Sequence, residues 1–123
     1  MSSMNIEIES YWELLALHKS LMAVKFDENL CLPEAKGSPF TASLAFKVFN
    51  ELVKFSKEKQ ANDWLEWQVA DDSRIETKLL YKSIKESEWW ESAEQEKKEK
   101  YVQDFMAPLI LNQRIFNEIT KNY

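Results

Sequence analysis

The chain has 123 residues, 45% of them apolar and 30% charged, and a formal net charge of −5. That composition excludes a disordered chain, and the length is that of one domain able to bury a core. One glycine and three prolines are too few turn-formers for a mostly antiparallel β protein, so the sequence predicts a mostly α, single-domain bundle of five or six helices over residues 1–123.

The charge is concentrated. Residues 61–94 carry nine acids against four bases. Acidic surface disfavours phosphate backbones, and only Arg74 and Arg114 offer the bidentate fork that reads guanine or phosphate. Direct nucleic-acid binding is therefore not expected. Cys31 stands alone, which leaves no intrachain disulfide and reads as a half-buried thiol. No charged-then-apolar leader and no apolar run near ~20 residues occurs, so a cytoplasmic chain with no membrane span is expected.

The first periodic stretch runs from Ile8 to Phe26. Ile8, Tyr11, Trp12, Leu15, Met22 and Phe26 share one side at helical spacing, with His18 at its edge. Pro33, Gly37 and Pro39 then break the pattern within "DENLCLPEAKGSP". Ser38-Pro39 is a helix start, a capping hydroxyl followed by proline at the first helical position. That helix is expected to reach Lys59. Phe40, Leu44, Val48, Leu52 and Phe55, flanked by Phe46, Phe49 and Val53, spread apolar side chains over about 240°, which predicts a central helix covered by at least two neighbours.

"NDWLEWQVADDSRIETKLLYKSI" admits two readings. Alternation at Leu65, Trp67 and Val69, and again at Ile75, Thr77 and Leu79, fits a short hairpin near residues 64–80. The turn lacks a glycine, and Asn62 and Ser73 stand where helix caps belong, so helix–turn–helix is preferred. From Ile75 a helix either continues through Trp89-Trp90 or restarts at Ser92. If it continues, Trp90 faces inward and Trp89 lies about 100° away at the margin. Glu94–Lys98 and Glu96–Lys100 support a solvated helix beyond. Pro108 breaks it, and Leu111, Ile115, Phe116 and Ile119 mark a last amphipathic helix.

Few chemistries survive. His18 is the only imidazole and Cys31 the only thiol, so a zinc site lacks residues, and nothing in the spacing argues for a Cys31–His18 nucleophile–base pair. The single glycine rules out a phosphate-cradling loop. Glu88, Glu91 and Glu94 have the one-turn spacing that would hold Mg²⁺ against phosphates on a helix, but no partner carboxylates are evident on another helix. No metal, cofactor or catalytic residue is expected.

The positive signal is aromatic. Most of the five tryptophans, four tyrosines and seven phenylalanines are the bulky fillers that a glycine-poor helical core needs, but Trp64, Trp67, Trp89 and Trp90 differ in falling in the acidic third. Trp89 with Glu88 and Glu91, and Trp64 and Trp67 with Asp71 and Asp72, are the expected contact residues for a protein partner with a basic surface. The expected function is non-enzymatic: a small acidic protein-binding domain, such as an inhibitor or immunity-type protein docking on a nucleic-acid-handling enzyme. A helical subunit of a larger assembly is the alternative, and a carboxylate/Mg²⁺-dependent all-α nucleotide phosphohydrolase is a third.

Overall fold

The computed structural model describes residues 3–27 and 36–122. Cys31, Pro33 and most of the expected loop around them lie outside the described residues. Among the described residues six helices form a mostly α bundle: α1 Tyr11–Phe26, α2 Pro39–Lys54, α3 Glu58–Gln68, α4 Ile75–Glu86, α5 Gln95–Met106 and α6 Gln113–Asn122. Two short strands, β1 Val69–Ala70 and β2 Ile110–Leu111, pair in parallel with Val69 opposite Ile110 and Ala70 opposite Leu111. The hairpin reading of residues 64–80 is overturned. Most of that stretch is helical, and β1 pairs with a distant strand instead.

Local chemistry explains the helix ends. Ser10 caps α1 by accepting the Glu13 N–H at 3.2 Å. Ser38 caps α2, its Oγ accepting the N–H groups of Phe40 and Thr41 at 3.2 and 3.3 Å, with Pro39 beginning the helix. The far end of α2 corrects the expectation. It stops at Lys54 rather than Lys59, because Ser56 Oγ donates to the Leu52 carbonyl at 2.6 Å and its N–H to the Val53 carbonyl at 3.2 Å. A serine bonding back to the preceding turn offers the backbone an alternative to helix.

Helix α2 packs against α1, α3 and α5, burying Ala42, Ala45, Phe49 and Leu52. Three neighbours cover it, as expected of at least two, but the apolar arc is not buried throughout, since Phe40, Leu44 and Phe55 remain 81%, 53% and 64% exposed. The stripe on α1 is also rotated from the expected one. Leu14, His18 and Lys25 are its buried residues, while Trp12 points outward. Counting apolar residues misplaced the face because two of its inward side chains are basic.

Lys25 is inside for a reason. Pro108 has no N–H, so it cannot serve the carbonyl of Asp104 four residues earlier near the end of α5. Lys25 Nζ donates to that carbonyl at 2.7 Å. Burial pushes its amine down to about 7, partly opposed by the Asp104 carboxylate. The main core lies beyond, where Leu80, Ile84, Trp90, Val102, Phe105, Met106, Ile115 and Ile119 cluster between α4, α5 and α6.

Candidate docking surface

Trp64 and Trp67, one turn apart on α3, meet edge to face at 5.6 Å. With Phe49 they enclose His18, whose ring lies 5.2 Å from Trp64, 5.4 Å from Trp67 and 5.9 Å from Phe49. His18 is buried, and its Nδ1 has no hydrogen-bond partner among the described residues. Burial foremost, and then the charge of Lys19, lower its pKa below the ordinary histidine value. Trp64 Nε1 donates to the Tyr11 hydroxyl at 3.4 Å. The Arg74 guanidinium stands 5.4 Å over Trp67 and donates to its carbonyl at 2.8 Å. Both tryptophans are half-buried packing residues with one edge open to solvent.

Asp71 is exposed, but its carboxylate works locally. It accepts the Ser73 N–H at 2.9 Å and the Ser73 hydroxyl, which hold it below the usual carboxylate range. Its carbonyl accepts Thr77 Oγ1 at 2.7 Å, so Asp71 shapes the turn between β1 and α4. Asp72 is exposed.

Helix α4 stops at Glu86, where the Ser87 hydroxyl donates to the Ile84 carbonyl at 2.7 Å, and turns fill the chain to α5. Glu88, Glu91 and Glu94 are therefore not stacked on a helix, which removes the geometry that a magnesium site on that spacing requires. Among the described residues no three metal-ligating side chains converge. The unbroken helix that oriented the tryptophans is absent, yet the order of burial is the expected one: Trp90 is 3% exposed and Trp89 half-buried. Trp89 packs on Tyr101 at 4.9 Å, and Lys97 Nζ lies 5.0 Å over its ring. That ammonium already occupies the ring face that a partner's cation would use. Glu88 and Glu91 are exposed beside it.

A second aromatic surface lies where the start of α1 meets the joint between α2 and α3. Three clefts share it. The first, about 490 Å³, is lined by Ile6, Ile8, Glu9, Ser10, Tyr11, Leu14, Glu51 and Phe55. The second, about 410 Å³, runs between Tyr11, Trp12, Leu15 and Lys19 of α1 and Gln60, Asp63, Trp64 and Trp67 of α3. The third, about 600 Å³, holds Tyr11, Trp12, Phe55, Lys57, Lys59, Gln60 and Asp63. Tyr11 lines all three, so they form one patch. Trp12 is 74% exposed and Ile6 87%.

No family model, curated protein or solved structure matches the chain.

The patch brings Trp64 and Trp67 to its border but not Trp89, Glu88, Glu91, Asp71 or Asp72, none of which line these clefts. It adds Tyr11, Trp12 and Phe55, which periodicity had assigned to the core. One signal was available: Met4, Ile6 and Ile8 alternate with polar residues ahead of α1 and remain outside any described strand. A fourth cleft, about 390 Å³, lies among Phe46, Asp104, Met106, Leu109 and Phe116 and is mainly apolar. Among the described residues no helix is long and apolar enough to cross a membrane.

Proposed function

We propose that the protein acts by docking on another protein rather than by catalysis, and that the patch around Tyr11, Trp12 and Phe55 is where it docks. One observation carries this reading. Ile6, Trp12 and Phe55, three large apolar side chains more than half exposed, gather with Tyr11 on adjoining clefts instead of being scattered singly. Aromatic anchors at the centre of a patch with charged residues around them have the anatomy of a protein interface. Glu9 and Glu51 at one end of the patch would accept basic side chains, and the net charge of −5 steers a basic surface toward the domain. An inhibitor or immunity-type protein seated on a basic, nucleic-acid-handling enzyme is one form this function takes. A subunit of a larger assembly would use the same surface.

The test is substitution without unfolding. Trp12→Ala and Phe55→Ala should each weaken capture of the partner by about 2 kcal/mol, a hot-spot magnitude, with unchanged thermal melting. Variants that capture partners as the wild type does would sink the docking reading. Mg²⁺-dependent release of phosphate or pyrophosphate from nucleoside triphosphates, lost on Glu91→Gln, would establish the enzymatic alternative.

A further inference from the structure

We propose that the partner seated on this patch is a second copy of the chain, related to the first by a twofold axis passing beside Phe55. The inference rests on reading the patch as a docking surface, and it names the occupant.

Charge decides it. The three clefts carry three lysines, Lys19, Lys57 and Lys59, against three acids, Glu9, Glu51 and Asp63. A domain of net charge −5 thus has its open aromatic patch on neutral ground, which is poor design for a uniformly basic partner. The charges are also sorted. Glu9 and Glu51 share the first cleft with Phe55 and no lysine, while Lys57 and Lys59 share the third cleft with Phe55. Phe55 borders both an acidic cleft and a cleft that is basic apart from Asp63. None of Glu51, Lys57 and Lys59 is in an ion pair among the described residues.

In an isologous contact, residue i of one copy meets residue j of the other, and j meets i. One face of the Phe55 ring carries its own Lys54 ammonium at 5.6 Å, so rotation about an axis beside Phe55 would lay the two rings together through their other faces at the centre. The same rotation brings each Glu9–Glu51 side onto the other copy's Lys57–Lys59 side, twice over. Rim charges of this kind set register and add little affinity, which comes from the buried aromatic centre.

The experiment uses the purified full chain in sedimentation equilibrium at low salt. Wild type should show a reversible monomer–dimer equilibrium, and Phe55→Asp should weaken it at least about tenfold. The decisive arm is a charge swap. One chain carries Lys57→Glu with Lys59→Glu, the other Glu9→Lys with Glu51→Lys. Each should be monomeric alone and folded by circular dichroism, and the two mixed should form a one-to-one heterodimer. A wild type that stays monomeric overturns the proposal, as does a dimer indifferent to Phe55→Asp or a pair of reversed chains that ignore each other. If the wild type is monomeric yet Phe55→Asp still abolishes capture of another protein, only the twofold pairing falls and the docking reading stands.

Discussion

Replacing Lys25 with methionine tests how this bundle tolerates a basic group in its interior. The substitution keeps the length and apolar stem of the side chain and removes only the amine. The Asp104 carbonyl then loses its donor, a cost of about 1–3 kcal/mol for a buried unsatisfied acceptor. Opposing this is relief from burying a cation. Below pH 7 the Lys25 amine is protonated in folded and unfolded chains alike, so the full cost of burying the charge is present. Between about 7, the value in the fold, and 10.5, the ordinary lysine value, the unfolded chain holds a proton that the folded chain has lost. Folding stability must therefore rise with pH through that window. From pH 6 to pH 9 the gain is about 3 kcal/mol, and Lys25→Met abolishes it. Urea melts of both proteins at the two pH values measure this directly, because every other titrating group cancels in the difference. The wild type should gain about 3 kcal/mol relative to the variant at the higher pH. A difference constant to within about 0.5 kcal/mol would show that Lys25 keeps an ordinary pKa and that the buried-amine argument is wrong.

Three further outcomes are expected. Phe49→Ala, at a ring 1% exposed and packed on His18, Trp64 and Trp67, should cost about 3–5 kcal/mol in denaturant melts; a loss under 1 kcal/mol would mean the aromatic cage is loose. Trp90→Ala should cost at least twice what Trp89→Ala costs, since Trp90 is buried and Trp89 half-buried; equal losses would contradict the assigned burial. The depressed pKa of His18 means that protonation favours unfolding, so stability should fall as pH drops below the unfolded value of about 6.5; His18→Phe should flatten that fall, and an unchanged acid limb would place the destabilisation elsewhere.

Much of the fold was legible where local chemistry decides it. The Ser38-Pro39 start needs only a hydroxyl, a proline and the N–H groups they serve, all within four residues. The mostly helical class followed from a shortage of turn-formers. What periodicity missed depended on distant residues. The inward face of α1 was misread because His18 is enclosed by rings from α2 and α3, and because Lys25 answers a carbonyl that Pro108 left unserved. In the alternating reading Thr77 shares a face with Ile75 and Leu79; it is buried, but on a helix with its hydroxyl on the Asp71 carbonyl, while Ile75 is exposed. The patch proposed for docking was invisible for a different reason. Phe55 completes an apolar row on α2, but that row does not all face inward, since Phe40, Leu44 and Phe55 are exposed. For the tryptophan pair, Trp90 was placed inward from a helix that does not exist, so that agreement is in outcome and not in cause.

The parallel pairing of β1 with β2 has a consequence for how the chain could be divided. Gln68 Nε2 bonds the Pro108 carbonyl at 2.9 Å, and the Asn112 N–H bonds the Ala70 carbonyl at 2.9 Å. The buried Ala70, Leu109 and Leu111 lie within this seam. The exposed Glu88 and Glu91 fall in the turn between α4 and α5, so a protease cutting there would leave β1 on one fragment and β2 on the other. Helices α2 and α4 on the first fragment pack against α5 on the second, so the cut would divide the molecule across a shared core. The two fragments would remain a noncovalent pair, and separately expressed halves should find each other and restore the bundle.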